Sequence, residues 1–212
     1  MEPRRDRSDP EPTPLELGDP VLRDHGSALR ANGERARELT ADLDVITLYR
    51  RPGPKRWSAG ECLDHLVRAG EAYLEVIDEA LAEADEAPGP HGAPSLNAFE
   101  KVLVGGVRPP VRMRIPAPRR IRPDRPPPEA LARGVLGMVD PRERFDDLRR
   151  RYGKRLHRAD GVDLEAVRVR SPFVPLVRVS LHAALAIIAG HEQRHLEQAR
   201  AALARVAAPA RR

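Results

Sequence analysis

From Leu181 to Ala202 the chain repeats one pattern. Leu181, Leu185, Ile188, His191, His195, Ala199 and Ala202 recur three or four residues apart and so line one face of a helix. Two histidines hold positions that leucine and isoleucine hold elsewhere on the stripe. A face of this kind turns inward, and a buried polar group left unsatisfied costs about 1–3 kcal/mol. The fold must therefore bring each imidazole a partner. Histidines at i and i+4 converge on one cation, which makes a metal the economical choice.

Three other stretches carry the same periodicity. Leu22, Leu29, Ala36, Leu39 and Leu43 predict a first helix over Pro20–Leu48, ended by "RRPGPKR". In "WSAGECLDHL", Ser58 is placed to cap a second helix, Glu61 to reach back to the Ser58 amide, and Trp57 to staple onto Cys62. That helix is expected to run to about Glu86, with His65 on its buried face among Cys62, Leu66, Ala69 and Tyr73. A third is expected from Glu129 to His157, with Leu131, Val135, Met138, Phe145 and Leu148 inward. Asp140-Pro141-x-Glu143 is itself a cap sequence, so that helix is kinked or split there. The fourth spans Val177 to Val206. Between the second and third, Pro88–Pro128 is rich in Pro, Gly and Arg, with a helical turn near Leu96–Val104 at most.

Composition agrees with helices. The 41% apolar fraction is mainly Ala, Leu and Val with 3% aromatic, a mixture suited to packed helices more than to a sheet. The expectation is an all-α four-helix bundle, antiparallel or mixed, over residues 17–208, behind a charged, proline-rich tail (1–16) that stays disordered. A lone cysteine, Cys62, excludes an intramolecular disulfide, and the N-terminus lacks the apolar core of a secretory signal. The longest apolar run, near 179–189, falls short of the ~20 residues a membrane span requires. A cytoplasmic location is expected, without a membrane partner. Of 37 basic residues only Lys55, Lys101 and Lys154 are lysines, and acids are mixed through nearly every segment, so the net charge of +5 argues weakly for nucleic acid.

With seven histidines in the chain, an i, i+4 pair arises readily by chance, and the weight falls on His65. If the second and fourth helices adjoin, His65, His191 and His195 form a facial three-histidine set with open positions, as at a catalytic divalent metal. His25 is the substitute ligand. His191-Glu192-x-x-His195 also spells the motif of a zinc peptidase, which takes its third ligand from downstream. Only seventeen residues follow His195, none of them His, and Glu197 lies on another helix face. Glu192 is thus expected at the surface or supporting a ligand, not as a general base. Cys62 reads as core filling, Asp64 as solvated and facing away from His65, and Gln198 as a residue near the pocket base. His91, His157 and His182 read as ordinary. The basic stretch Arg108–Arg125 either lies over the open face and attracts an anionic substrate or is a solvated loop.

"RWSAGECLDHLVRAGEAYLEVI", bearing His65, and "VSLHAALAIIAGHEQRHLEQARAAL" together resemble the DinB-like superfamily of bacterial four-helix bundles, over roughly Pro20 to Val206. The resemblance implies an up-down-down-up bundle. It also implies a divalent metal (zinc, nickel or iron) on one histidine of the second helix and two of the fourth, positions that match His65, His191 and His195. Some members are metal-dependent transferases or isomerases that use a low-molecular-weight thiol, so the leading expectation is such an enzyme, or a hydrolase, acting on a small molecule. The alternative is a non-enzymatic metal-binding or interaction bundle. A homodimer is compatible with either.

Overall fold

Side-chain caps open most of this chain's helices. In the computed structural model, which describes residues 17–84, 93–109 and 117–208, Asp19 accepts from the Val21 and Leu22 amides to open α1 (Pro20–Thr40). Asp44 accepts from the Thr47 amide at 2.7 Å to open α2 (Val45–Leu48). The single helix expected over Pro20–Leu48 is therefore two. Asp44 offers the backbone a cap in place of continued helix, and the turn at 41–44 redirects the chain so that Leu48 and Tyr49 are buried.

The predicted capping box is present. The Glu61 amide donates to Ser58 Oγ at 3.2 Å and the Ser58 amide donates to Glu61 Oε2 at 3.0 Å, so α3 (Ala59–Ala84) begins where the sequence says. α4 (Ala98–Val107) has a second such box, Asn97 with Glu100, and exceeds the single turn expected there. A 3-10 turn at Arg119–Ile121 follows. The third expected helix is split, as the Asp140-Pro141 cap allows, into α5 (Pro128–Ala132) and α6 (Pro141–Ala159). Gly134 and Gly137 between them take positive φ angles of 68° and 62°, which glycine adopts without strain. Val135, expected inward, is consequently exposed.

The segment before the last helix forms an antiparallel hairpin, β1 (Arg168–Arg170) with β2 (Arg178–Ser180), in which Val169 faces Val179. Ser180 then accepts from the Ala183 amide at 3.1 Å, so α7 (Leu181–Ala207) starts four residues later than expected. The outcome is a predominantly helical chain with seven α-helices among the described residues, not four.

Four helices are long, and α1 and α3 each pack against both α6 and α7. Polar contacts fix the register. Along α1 and α6 they run in opposite senses, from Gly18 and Asp19 amides on Asp160 to Arg37 on Asp146. Along α3 and α6 they run in the same sense, from Asp64 with Arg144 to Asp78 with Arg155. His25 meets His182 and Asn32 meets Ala189, so α1 and α7 also progress together. At the α3–α6 crossing a Cβ on Gly70 would fall 2.5 Å from Leu148 Cδ2, so only glycine admits that approach, and the buried Gly70 carbonyl accepts from Tyr152 Oη at 3.0 Å. One large apolar cluster fills the space between these helices, and a smaller one gathers Leu48, Tyr49, Ala59, Cys62 and Ala199 beside Trp57. No helix of the described residues is long and apolar enough to cross a membrane.

Candidate metal centre

His65 lies in the second turn of α3, on its inward face, and the packing of α3 against α7 brings it to His191 and His195. One ring nitrogen from each of the three lies within 4.8 Å of the others. Ring centroids are 5.1 Å apart for His65 and His191, 4.5 Å for His65 and His195, and 4.6 Å for His191 and His195. His65 and His195 are buried at 2% and 7% exposure, while His191 keeps some solvent-accessible surface.

The hydrogen bonds define which nitrogens are available. His65 Nδ1 is 2.7 Å from the Ile121 carbonyl oxygen. A carbonyl only accepts, so Nδ1 carries the proton and the neutral ring presents its lone pair on Nε2. That Nε2 faces His191 Nε2 at 3.3 Å. Two ligands about 2.0–2.1 Å from a tetrahedral ion are separated by about 3.3–3.4 Å, so the observed spacing is that of one edge of such a site. His195 Nδ1 is buried and has no hydrogen-bond partner among the described residues, the orphaned polar atom expected where a further partner belongs.

Electrostatics keep the rings neutral. Burial lowers the pKa of all three, and the positive charge of Arg194, between His191 and His195 on α7, lowers each further. His191 is lowered to about 3, by burial and then by the neighbouring His65. The Gln198 amide acts the other way on His195, in keeping with its expected place near the site. Neutral imidazole is the ligating form. The residues fit a divalent ion.

Trp57 adds a wall that the sequence suggested only as a staple. Its ring centroid is 4.9 Å from that of His65 and 5.8 Å from that of His195, with the latter pair stacked at 30°. Ile121 is a second participant that sequence reading missed. It contributes a backbone oxygen, which any residue type supplies, so no side-chain signal announces it.

Other assignments change. Glu192 is neither at the surface nor supporting a ligand histidine. It is 2% exposed and bound by both terminal nitrogens of Arg149 and by Asn32 Nδ2, on the side of α7 facing α1 and α6. Burial pushes its carboxyl pKa up, against the pull of Arg149 and Asn32. A peptidase base would have to face the ion, so this placement removes the zincin reading. Asp64 is also buried, at 1% exposure, and ion-paired with Arg68 and Arg144 instead of solvated. Burial costs force such pairing; Arg68 lies one turn along the same helix, whereas the approach of Arg144 from α6 is not evident in one dimension.

His25, the reserve ligand, joins none of this. Its Nε2 is 3.0 Å from His182 Nδ1, a pair of its own. Cys62 is buried in the smaller apolar cluster, as expected, and burial raises its thiol pKa. Glu61 combines its capping role with an ion pair to Arg51. Of the basic stretch Arg108–Arg125, Arg108 lies against Gly190, the residue before His191, where a Cβ would fall 2.7 Å from Arg108 Cγ. Ile121 touches His65. Residues 110–116, like His91 and the tail 1–16, lie outside the described residues.

No curated protein and no solved structure matches the chain. The sequence profile described as DinB superfamily matches residues 28–199, a span that contains His65, His191, His195 and all four long helices except the first turns of α1 and the last turns of α7. A three-histidine group able to hold a metal ion, set in a helical chain and covered by that profile over most of its length, identifies a member of the DinB superfamily.

Proposed function

We propose that this protein binds one divalent cation through His65, His191 and His195 and is a metal-dependent enzyme acting on a small molecule, by transfer or isomerisation with a low-molecular-weight thiol or by hydrolysis. The observation that carries the reading is the convergence of three neutral imidazoles from two helices, with Nε2 of His65 and of His191 3.3 Å apart. The register contacts support an up-down-down-up order for the four long helices, in which α3 and α7 run antiparallel beside the site. Zinc, nickel and iron all suit imidazole ligands.

A cation held there supplies Lewis acidity, lowering the pKa of a thiol or water at its open position. The chain's own residues do the remainder. Three neutral imidazoles leave the full positive charge uncancelled, Trp57 excludes water from the faces of His65 and His195, and the partly accessible His191 marks the side open to substrate. Arg194 and the basic stretch Arg108–Arg125 favour an anionic substrate. A cytoplasmic setting, with reduced thiols at hand, suits the lone buried Cys62.

Elemental analysis of the purified protein tests the metal directly. About one divalent ion per chain is expected, falling to background in the His65→Ala, His191→Ala double variant; full occupancy in that variant refutes the assignment. Turnover of electrophilic small molecules with candidate thiols, dependent on the same ion, tests the enzyme reading.

A further inference from the structure

Asp64 precedes a ligand histidine in sequence yet points away from the three-histidine centre, and its carboxylate gathers three parts of the molecule. Arg144 Nη1 of α6 donates to Oδ1 at 2.7 Å. Arg68 Nε, one turn along α3, donates to Oδ2 at 2.8 Å. The Asp124 backbone amide donates to the same Oδ2 at 2.7 Å. Arg68 closes the arrangement by pairing with the Asp124 carboxylate as well. Three residues before Asp124 is Ile121, buried at 4% exposure, whose carbonyl receives the His65 Nδ1 proton. Segment 121–124 therefore crosses α3 with one end on Asp64 and the other on His65.

We propose that Asp64 is a positioning residue of the metal centre: by clamping segment 121–124 to α3 and α6 it holds the Ile121 carbonyl on His65 Nδ1 and thereby presents Nε2 as the ligating atom. This rests on the metal reading of the three histidines. The physical case has two steps. A neutral imidazole has two tautomers, and the group accepting from one nitrogen selects which lone pair remains. A backbone carbonyl can do this only if its peptide is held, and the Asp64 carboxylate, itself fixed by Arg68 and Arg144, holds the Asp124 amide three residues along the same segment. Linkage adds a consequence. If a docked segment favours metal binding, bound metal favours the docked segment by the same factor.

The test uses the full-length protein, with zinc as the probe. Zinc affinity is measured by chelator competition for wild type, Asp64→Ala and Arg68→Ala. The His65 tautomer is read in metal-free protein from imidazole nitrogen-15 shifts, and protection of the Asp124 amide from hydrogen exchange is followed with and without zinc. Positioning predicts that Asp64→Ala weakens zinc by roughly 10–100-fold, the range for partners that orient a ligand. It also predicts that His65 becomes a mixture of tautomers and that zinc-induced protection of the Asp124 amide, present in wild type, is lost. Arg68→Ala, which leaves Arg144 on Asp64, moves all three in the same direction by less, and it carries the test should Asp64→Ala not fold. Unchanged affinity and a single His65 tautomer in the variants, with wild type binding zinc, overturn the inference alone. Failure of wild type to bind zinc overturns the metal reading beneath it, and the tautomer measurement still reports whether the clamp acts on His65.

Discussion

Two clusters of histidine lie along α7, and they behave differently. Near its start, His182 meets His25 of α1, and further along His191 and His195 meet His65 of α3. The first pair is self-sufficient: one ring donates, the other accepts, and the 3.0 Å contact satisfies both facing nitrogens. The second group is not. His65 already donates its Nδ1–H to the Ile121 carbonyl, so its Nε2 and that of His191 have at most one proton between them, and His195 Nδ1 has no hydrogen-bond partner among the described residues. Proximity of imidazoles is thus not what marks a metal centre. The mark is an excess of inward lone pairs over protons to fill them, which a cation resolves.

Four experiments break or sharpen that contrast. The largest effect belongs to Glu192, which lies on α7 between His191 and His195 in sequence and is bound by Arg149 and Asn32. Glu192→Ala leaves the Arg149 charge buried, and denaturant unfolding should show a loss of about 3–5 kcal/mol. A loss below about 1 kcal/mol shows that this pair does not set how α7 sits.

Acid should act through the pair. Burial, then the charge of His182 and of Arg108, lowers the His25 pKa from 6.5 to about 4, with Asp19 opposing. A base whose pKa is lowered by folding stabilises the native state fully above its unfolded value. That contribution drains as pH falls from about 6.5 to about 4 and changes no further below. In metal-free protein, the stability difference between wild type and His25→Gln should shift by on the order of 3 kcal/mol across that window. A parallel pair of curves contradicts this.

Zinc should act through the trio alone. At a free concentration one hundred times its dissociation constant it should add about 2.7 kcal/mol to wild type. The gain should persist in His25→Ala and vanish in His195→Ala; the reverse order would exchange the roles of the clusters. The smallest effect is expected at the start of α3. Ser58→Ala removes a cap and should cost about 1 kcal/mol, with zinc affinity little changed because the His65 contact to Ile121 is independent of it.

What could be read in one dimension divides along the same line. His65, His191, His195, the Ser58–Glu61 cap and the buried Cys62 were all legible, because each depends on residue type at helical spacing, and the structure places them as read. The breaks at 41–44 and 133–139 were half legible: Asp140-Pro141 announced one, whereas Asp44 was absorbed into a helix expected to run on to Leu48. The hairpin was not legible, since three-residue strands carry too little alternation to distinguish from linker. Asp64 and Glu192 were misplaced because a charge is assigned to solvent by default. Only the fold reveals that arginines 80 and 43 positions away arrive to pair with them.

The most direct measurement is X-ray absorption at the edge of the metal bound to the full-length protein. The account predicts three imidazole nitrogens at about 2.0–2.1 Å from a zinc ion, with one imidazole fewer in His65→Ala. A shell dominated by sulfur or carboxylate oxygen, or a spectrum unchanged by that substitution, would contradict it.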